Sequence, residues 1–167
     1  MKSDDLKQEL DDYLEQHPDT RFMELIIADM NGILRGKRVG VSELTKAFKN
    51  GVNMCAATTL LDSLGNTFDS IPYGLKDGDP DAKSFAVPGS LAPVPWATQP
   101  TAQVLLEMVN LDGTPNRNDP RNVLRRALKP LRDIGLTPVL ALELEFYLVR
   151  HDGGRFQPHM PRIPGSE

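Results

Sequence analysis

Residues 139–149, Val-Leu-Ala-Leu-Glu-Leu-Glu-Phe-Tyr-Leu-Val, constrain the fold of this chain more than any other stretch. They contain no glycine or proline, and their alternation predicts a strand over residues 137–149, in which successive side chains point to opposite faces. One face is expected to carry Leu140, Leu142, Leu144, Phe146 and Leu148; the other carries Val139, Ala141, Glu143, Glu145, Tyr147 and Val149. A strand apolar on one side and largely apolar on the other must be covered. Its own section of chain supplies one helix to do so. That helix starts at Asp119-Pro120-Arg121, an acidic N-cap followed by proline at the first helical position, and stops at Gly135. Val123, Leu124, Ala127, Leu128 and Leu131 form its apolar face, and Pro130 requires a kink or an early fray. One helix and one strand cannot bury both of their faces, so the chain is expected to be truncated or completed by a partner.

The section before residue 118 reads differently. Residues 3–17 predict a helix with Leu6, Leu10, Tyr13 and Leu14 on one stripe, ended by Pro18. Residues 22–29 are strand-like, Asn31-Gly32 is a strong hairpin signal, and residues 33–39 form the return strand with Arg35, Lys37 and Arg38 on a face expected to be solvated. Residues 41–48 predict a short helix capped by Ser42 and closed by Asn50-Gly51. Residues 52–61 are apolar and strand-like, and 62–81 form a long aperiodic loop of the kind that is functional or disordered. Strands follow at 83–87, 91–94 and 101–111, with a turn at Asp112-Gly113. The fold class is therefore α+β, antiparallel or mixed. The tail 151–167 is rich in glycine and proline and without period.

With 19 Lys+Arg against 23 Asp+Glu, the net charge of −4 argues against a general polyanion-binding surface, hence no nucleic acid partner. No apolar run approaches the roughly 18–20 residues of a membrane span, and the acidic start is unlike a secretory signal. A cytoplasmic location with no membrane partner is expected. Cys55 is the only cysteine, excludes an intrachain disulfide and lies among apolar neighbours without a base to activate it. His17, His151 and His159 lack metal-ligand spacing.

Two features could carry chemistry. Glu143 and Glu145, two residues apart on one strand face, would stand about 7 Å apart at their bases. They suit either an acidic solvent face or a site for Mg²⁺ or Mn²⁺, hard cations that take carboxylate oxygens. Asp62, in Leu61-Asp62-Ser63-Leu64-Gly65-Asn66, lies where a strand gives way to the long loop; it is either a turn-former bonding its own backbone or a functional acid.

Taken together, Asp119-Pro120-Arg121, a helix, and Glu143-Leu144-Glu145-Phe146-Tyr147-Leu148 resemble the start of the catalytic domain in the glutamine synthetase superfamily. The preceding part, with Asp29-Met30-Asn31-Gly32 and the Asp62 loop, resembles that family's N-terminal β-grasp domain. Residues 31–38 and 139–148 look most like the γ-glutamylpolyamine synthetase (glutamate–putrescine ligase) branch. The resemblance implies an N-terminal helix at 1–20, a β-grasp domain at 21–114 and the start of the catalytic domain at 115–167. It implies an ATP-dependent glutamate–amine ligase that works through a γ-glutamyl phosphate, with glutamate, ATP and an amine such as putrescine as partners. Glu143 and Glu145 match the carboxylates that ligate Mg²⁺ or Mn²⁺, and Asp62 matches the acid presented to a neighbouring subunit's site in a homo-oligomeric ring, where it binds or deprotonates the incoming ammonium. The loop departs from the family's usual Asp-Gly-Ser-Ser, and Phe68 stands in place of a tryptophan, which leaves a larger amine plausible. The family's other metal ligands and its ATP- and glutamate-binding residues lie beyond position 167, so the chain alone is expected to be inactive and to hold no cofactor tightly. An ammonia-using glutamine synthetase and a stand-alone β-grasp interaction module are the alternatives.

Overall fold

The computed structural model describes residues 3–68, 70, 73 and 75–159. Its first long-range feature is the hairpin that Asn31-Gly32 predicts. β1 (Phe22–Ala28) and β2 (Leu34–Gly40) pair antiparallel from Phe22–Gly40 to Ala28–Leu34. Gly32 takes φ +77° at the turn, a conformation a side chain would resist, and its N–H donates to Asp29 O at 3.0 Å.

After β2 a 3₁₀ turn (Val41–Glu43) leads into α2 (Leu44–Asn50), which Gly51 ends at φ +65°. Ser42 does not cap it: Glu43 stands at the N-cap and makes no side-chain bond there. β3 is also shorter than the apolar run 52–61 suggests. It spans Val52–Cys55 and gives way to a 3₁₀ segment, Ala56–Leu60. Ala56 N donates to Pro80 O at 2.8 Å, but Pro80 has no N–H to return, and the β3–β4 ladder ends at Cys55–Asp81.

β4 (Asp81–Ala86), β5 (Ala92–Pro93) and β6 (Thr101–Val109) complete a sheet whose order is β2-β1-β6-β4-β3, with β5 beside the start of β6. β6 lies parallel to β1 and antiparallel to β4, so the last long strand occupies the middle of the sheet. This is a mixed α+β fold, as expected. Lys37 Nζ on β2 donates to Asn53 O on β3 at 2.7 Å, joining opposite edges across the curl of the sheet. The concave side holds Met23, Leu25, Ile27, Val104, Leu106 and Met108 against Leu44 and Phe48 of α2. α1 (Ser3–Gln16) contributes Leu6 and Leu10 to the same cluster. Each such side chain stabilises the fold by about 1.5–3 kcal/mol when fully removed from water.

α3 (Pro120–Asp133) starts and stops where the sequence predicts, with Pro130 inside its last turn and Gly135 at φ +77° beyond it. Its start is anchored to β6. Asp119 is wholly buried; its Oδ1 accepts from Arg121 N at 2.8 Å and its Oδ2 from Met108 N at 2.6 Å. Asn122 Nδ2 donates to Met108 O and to Asn116 O, both at 3.1 Å. Further along, the apolar face is uncovered: Leu124 is 55% exposed.

The strand expected at 137–149 is not formed. Residues 137–148 are irregular and exposed, Leu142 to 92% and Leu144 to 86%. A strand's N–H and C=O groups need a neighbour, and among the described residues no strand runs beside 137–147; at the end of the segment Leu148 O accepts from His159 N at 3.0 Å. The tail is more ordered than its composition suggests: β7 (Val149–Asp152) and β8 (Arg155–Pro158) form a second hairpin. Gly153 and Gly154, both at positive φ, supply its two-residue turn, and the rings of His151 and Phe156 meet edge-on at 5.5 Å. The rest of the tail, 160–167, lies outside the described residues, as do positions 69, 71, 72 and 74 of the long loop. Among the described residues no helix is long and apolar enough to cross a membrane.

Candidate functional site

The Asp62 loop is built by its own carboxylate. Asp62 Oδ1 accepts from Leu64 N at 2.9 Å and Asn66 N at 2.8 Å, and Oδ2 accepts from Asn66 Nδ2 at 3.1 Å. The backbone closes the same turn: Gly65 N donates to Asp62 O and Asp62 N to Asn66 O, each at 3.0 Å. Asp62 is thus a turn-former. It is also a charged group, because the Asn66 backbone and side-chain hydrogen bonds, helped by Leu64 and Gly65 N–H, outweigh desolvation and hold its carboxyl below the usual aspartate range. A carboxylate has about four lone-pair sites, so one on Oδ2 stays open to an outside cation.

The loop does not stand alone. The β1–β2 hairpin reaches it at several points. Met30 N donates to Thr59 O at 2.9 Å, Asn31 Nδ2 to Leu61 O at 2.8 Å, and Arg35 Nη2 to Asp62 O at 2.6 Å. The other side of the Arg35 guanidinium is held by Asp29, whose Oδ2 accepts from Arg35 Nε at 2.7 Å. Asp29 is 1% exposed and uses Oδ1 to take Asn31 N at 2.8 Å and Ile33 N at 2.9 Å. Burial pushes the Asp29 carboxyl upward, but the Arg35 hydrogen bond, those two amides and the Arg35 charge together bring it below its ordinary value.

Lys37 and Arg38 are exposed, as expected of a solvated strand, and Arg35 is half-buried, yet each of the three β2 cations has a partner. Arg35 is paired, Lys37 bonds Asn53 O, and Arg38 donates to Thr101 Oγ1 at 2.9 Å while its guanidinium stands 4.4 Å over the Phe22 ring. An aspartate two residues ahead of Asn31-Gly32 is a turn signal in the sequence. No sequence signal joins Arg35 to position 62, since 27 residues separate them.

Glu143 and Glu145 are exposed, on the irregular segment. They are oxygen donors of the kind Mg²⁺ takes, yet two carboxylates fall well short of its roughly six ligands. Among the described residues no group of three or more His, Cys, Asp or Glu could hold a metal. These residues fit a part of a cation site, and the structure brings neither of them to Asp62. Cys55 is half-buried rather than buried; its thiol donates to Asp79 Oδ1 at 2.7 Å, and burial followed by that bond raises its pKa, which leaves it unreactive.

Residues 117–163 match the family described as glutamine synthetase, catalytic domain, a match that includes Glu143 and Glu145. Over 163 residues the chain is 42% identical to the gamma-glutamylputrescine synthetase PuuA of Escherichia coli K12, covering 96% of this chain and 34% of that protein. It is 33% identical over 141 residues to a glutamate–isopropylamine ligase of a Pseudomonas species, covering 83% of this chain and 30% of the relative. A crystal structure of a glutamine synthase homolog superposes with a TM-score of 0.59 at 24% identity, over 70% of this chain and 28% of that one, and so supports the fold. The chain spans about a third of the length of the curated relatives it matches. By sequence and by fold, it belongs to the glutamine synthetase family of ligases.

Proposed function

We propose that these 167 residues are the N-terminal portion of a cytoplasmic, ATP-dependent glutamate–amine ligase with putrescine or a similar polyamine as acceptor. The observation that carries the proposal is the 42% identity to a gamma-glutamylputrescine synthetase along 96% of the chain. Residues 1–20 are the N-terminal segment that carries α1, 21–114 the β-grasp domain and 115–167 the beginning of the catalytic domain. Glu143 and Glu145 supply carboxylate oxygens to Mg²⁺ or Mn²⁺ beside ATP, with the remaining ligands coming from outside the described residues. The cation, when bound, neutralises phosphate charge as the glutamate side chain is phosphorylated. Strand formation at 137–148 accompanies burial of the apolar face against the rest of the catalytic domain, which aligns the two acids.

Asp62 receives the amine, in a ring of subunits where each presents its loop to a neighbour's site. A carboxylate whose basicity its own loop has lowered is a poor proton acceptor and a good partner for an ammonium. Asp62 therefore binds and orients the cationic acceptor, and the proton lost before attack on the acyl phosphate goes to another group.

Phosphate release by the complete ligase, measured with glutamate, MgATP and either putrescine or ammonia, tests this. Putrescine is expected to support turnover at far lower concentration than ammonia; preference for ammonia refutes the acceptor assignment. Glu143→Gln and Glu145→Gln should each lose more activity than the roughly 10–100-fold typical of residues that only support a metal ligand.

A further inference from the structure

We infer that Arg35 is the positioning residue of the amine site: its guanidinium is braced by the buried Asp29 and clamps the Asp62 carbonyl, so that the β1–β2 hairpin sets where the Asp62 carboxylate points. The inference rests on the proposed role of Asp62 in binding the amine. Four features support it. The Arg35 side chain is 19% exposed and Asp29's is fully buried, so the pair is fixed rather than adrift in solvent. The fork is divided, Nε to Asp29 and Nη2 to Asp62 O, which fixes the guanidinium plane as a single contact would not. Gly65 brings the loop backbone close: a Cβ there would stand 3.5 Å from Arg35 Nη1. Asn31 Nδ2, bonded to Leu61 O, holds the residue just before Asp62. Without the clamp the loop loses its fixed attachment to the sheet, its internal turn opens more often, and a charge aimed at a substrate from a neighbouring surface loses its aim.

The test uses Arg35→Lys, which leaves a cation for Asp29 but has no planar fork to span both oxygens. In the 167-residue chain, amide hydrogen exchange at Leu64, Gly65 and Asn66 should accelerate roughly tenfold or more while the β1 and β6 amides stay protected. In the complete ligase the KM for putrescine should rise roughly tenfold, with the KM for glutamate within about twofold of wild type. Unchanged exchange together with an unchanged putrescine KM overturns the inference. If Asp62→Asn raises the putrescine KM and Arg35→Lys does not, the clamp is refuted while the reading of Asp62 stands. If Asp62→Asn leaves it unchanged, the reading of the site fails, and the clamp fails with it as an amine-binding device. Should Arg35→Lys not fold, Asp29→Asn with Arg35→Met removes the clamp without stranding a buried charge, and the same readouts decide.

Discussion

Replacing Asp119 by alanine should destabilise the chain by about 2–4 kcal/mol, because that one carboxylate performs two buried tasks. Oδ1 caps α3 by accepting Arg121 N at 2.8 Å, and loss of such a cap costs about 1 kcal/mol. Oδ2 accepts Met108 N at 2.6 Å. Met108 and Asp119 are both fully buried, so water cannot replace that bond, and an orphaned buried N–H costs about 1–3 kcal/mol. The two terms together give the range quoted. Asp119→Asn is the internal control, since its single amide oxygen can serve one N–H well but not both. It should fall near the middle of the range. Urea unfolding followed by far-UV circular dichroism at pH 7 measures both variants. Alanine and asparagine variants within 0.5 kcal/mol of wild type, about what an ordinary surface substitution gives, would show that α3 is not fastened to β6 through this residue. A loss for asparagine equal to that for alanine would show that charge, rather than the number of acceptors, is what matters.

Two further outcomes follow from the same coordinates. Asp29 has a folded-state pKa below its unfolded value, so its contribution to stability is present above the unfolded pKa of about 3.9 and fades as pH falls through the lower folded value. Urea unfolding from pH 6 to pH 2 should show wild type losing stability relative to Asp29→Asn below about pH 4; parallel curves would refute the assignment. At Gly36 a Cβ would collide with the Leu25 carbonyl oxygen and stand 2.9 Å from its carbon and 3.2 Å from Ile26 Cα. Gly36→Ala should therefore cost at least the roughly 1–3 kcal/mol of overpacking, read as a lowered urea midpoint, and a neutral result would mean that β1 and β2 yield easily.

Several elements are legible in the order of residues alone. Pro18, Asn31-Gly32, Asn50-Gly51, Asp119-Pro120 and Gly135 all punctuate the chain where the structure bends or caps it, because a turn or cap is decided by the few residues that make it. The second hairpin shows the limit of composition: Gly153-Gly154 is a turn signal inside a segment whose glycine and proline content by itself suggests no regular element.

The opposite case is residues 137–148. Their alternation is as clear as any in the chain, yet they form no strand, since alternation settles which side chains share a face and a neighbouring strand settles whether the backbone pairs at all. The same division runs through the candidate site. Sequence alone identified Asp62, Glu143 and Glu145 as acids in informative places, and local bonding makes Asp62 a turn-former whatever lies around it. Only the tertiary structure joined Arg35 to Asp29 and Asp62, because that contact depends on curling one sheet until its hairpin meets a loop 27 residues away. Hydrogen bonds between near neighbours are written in the order of residues; those that cross the fold exist only once the core has placed both partners.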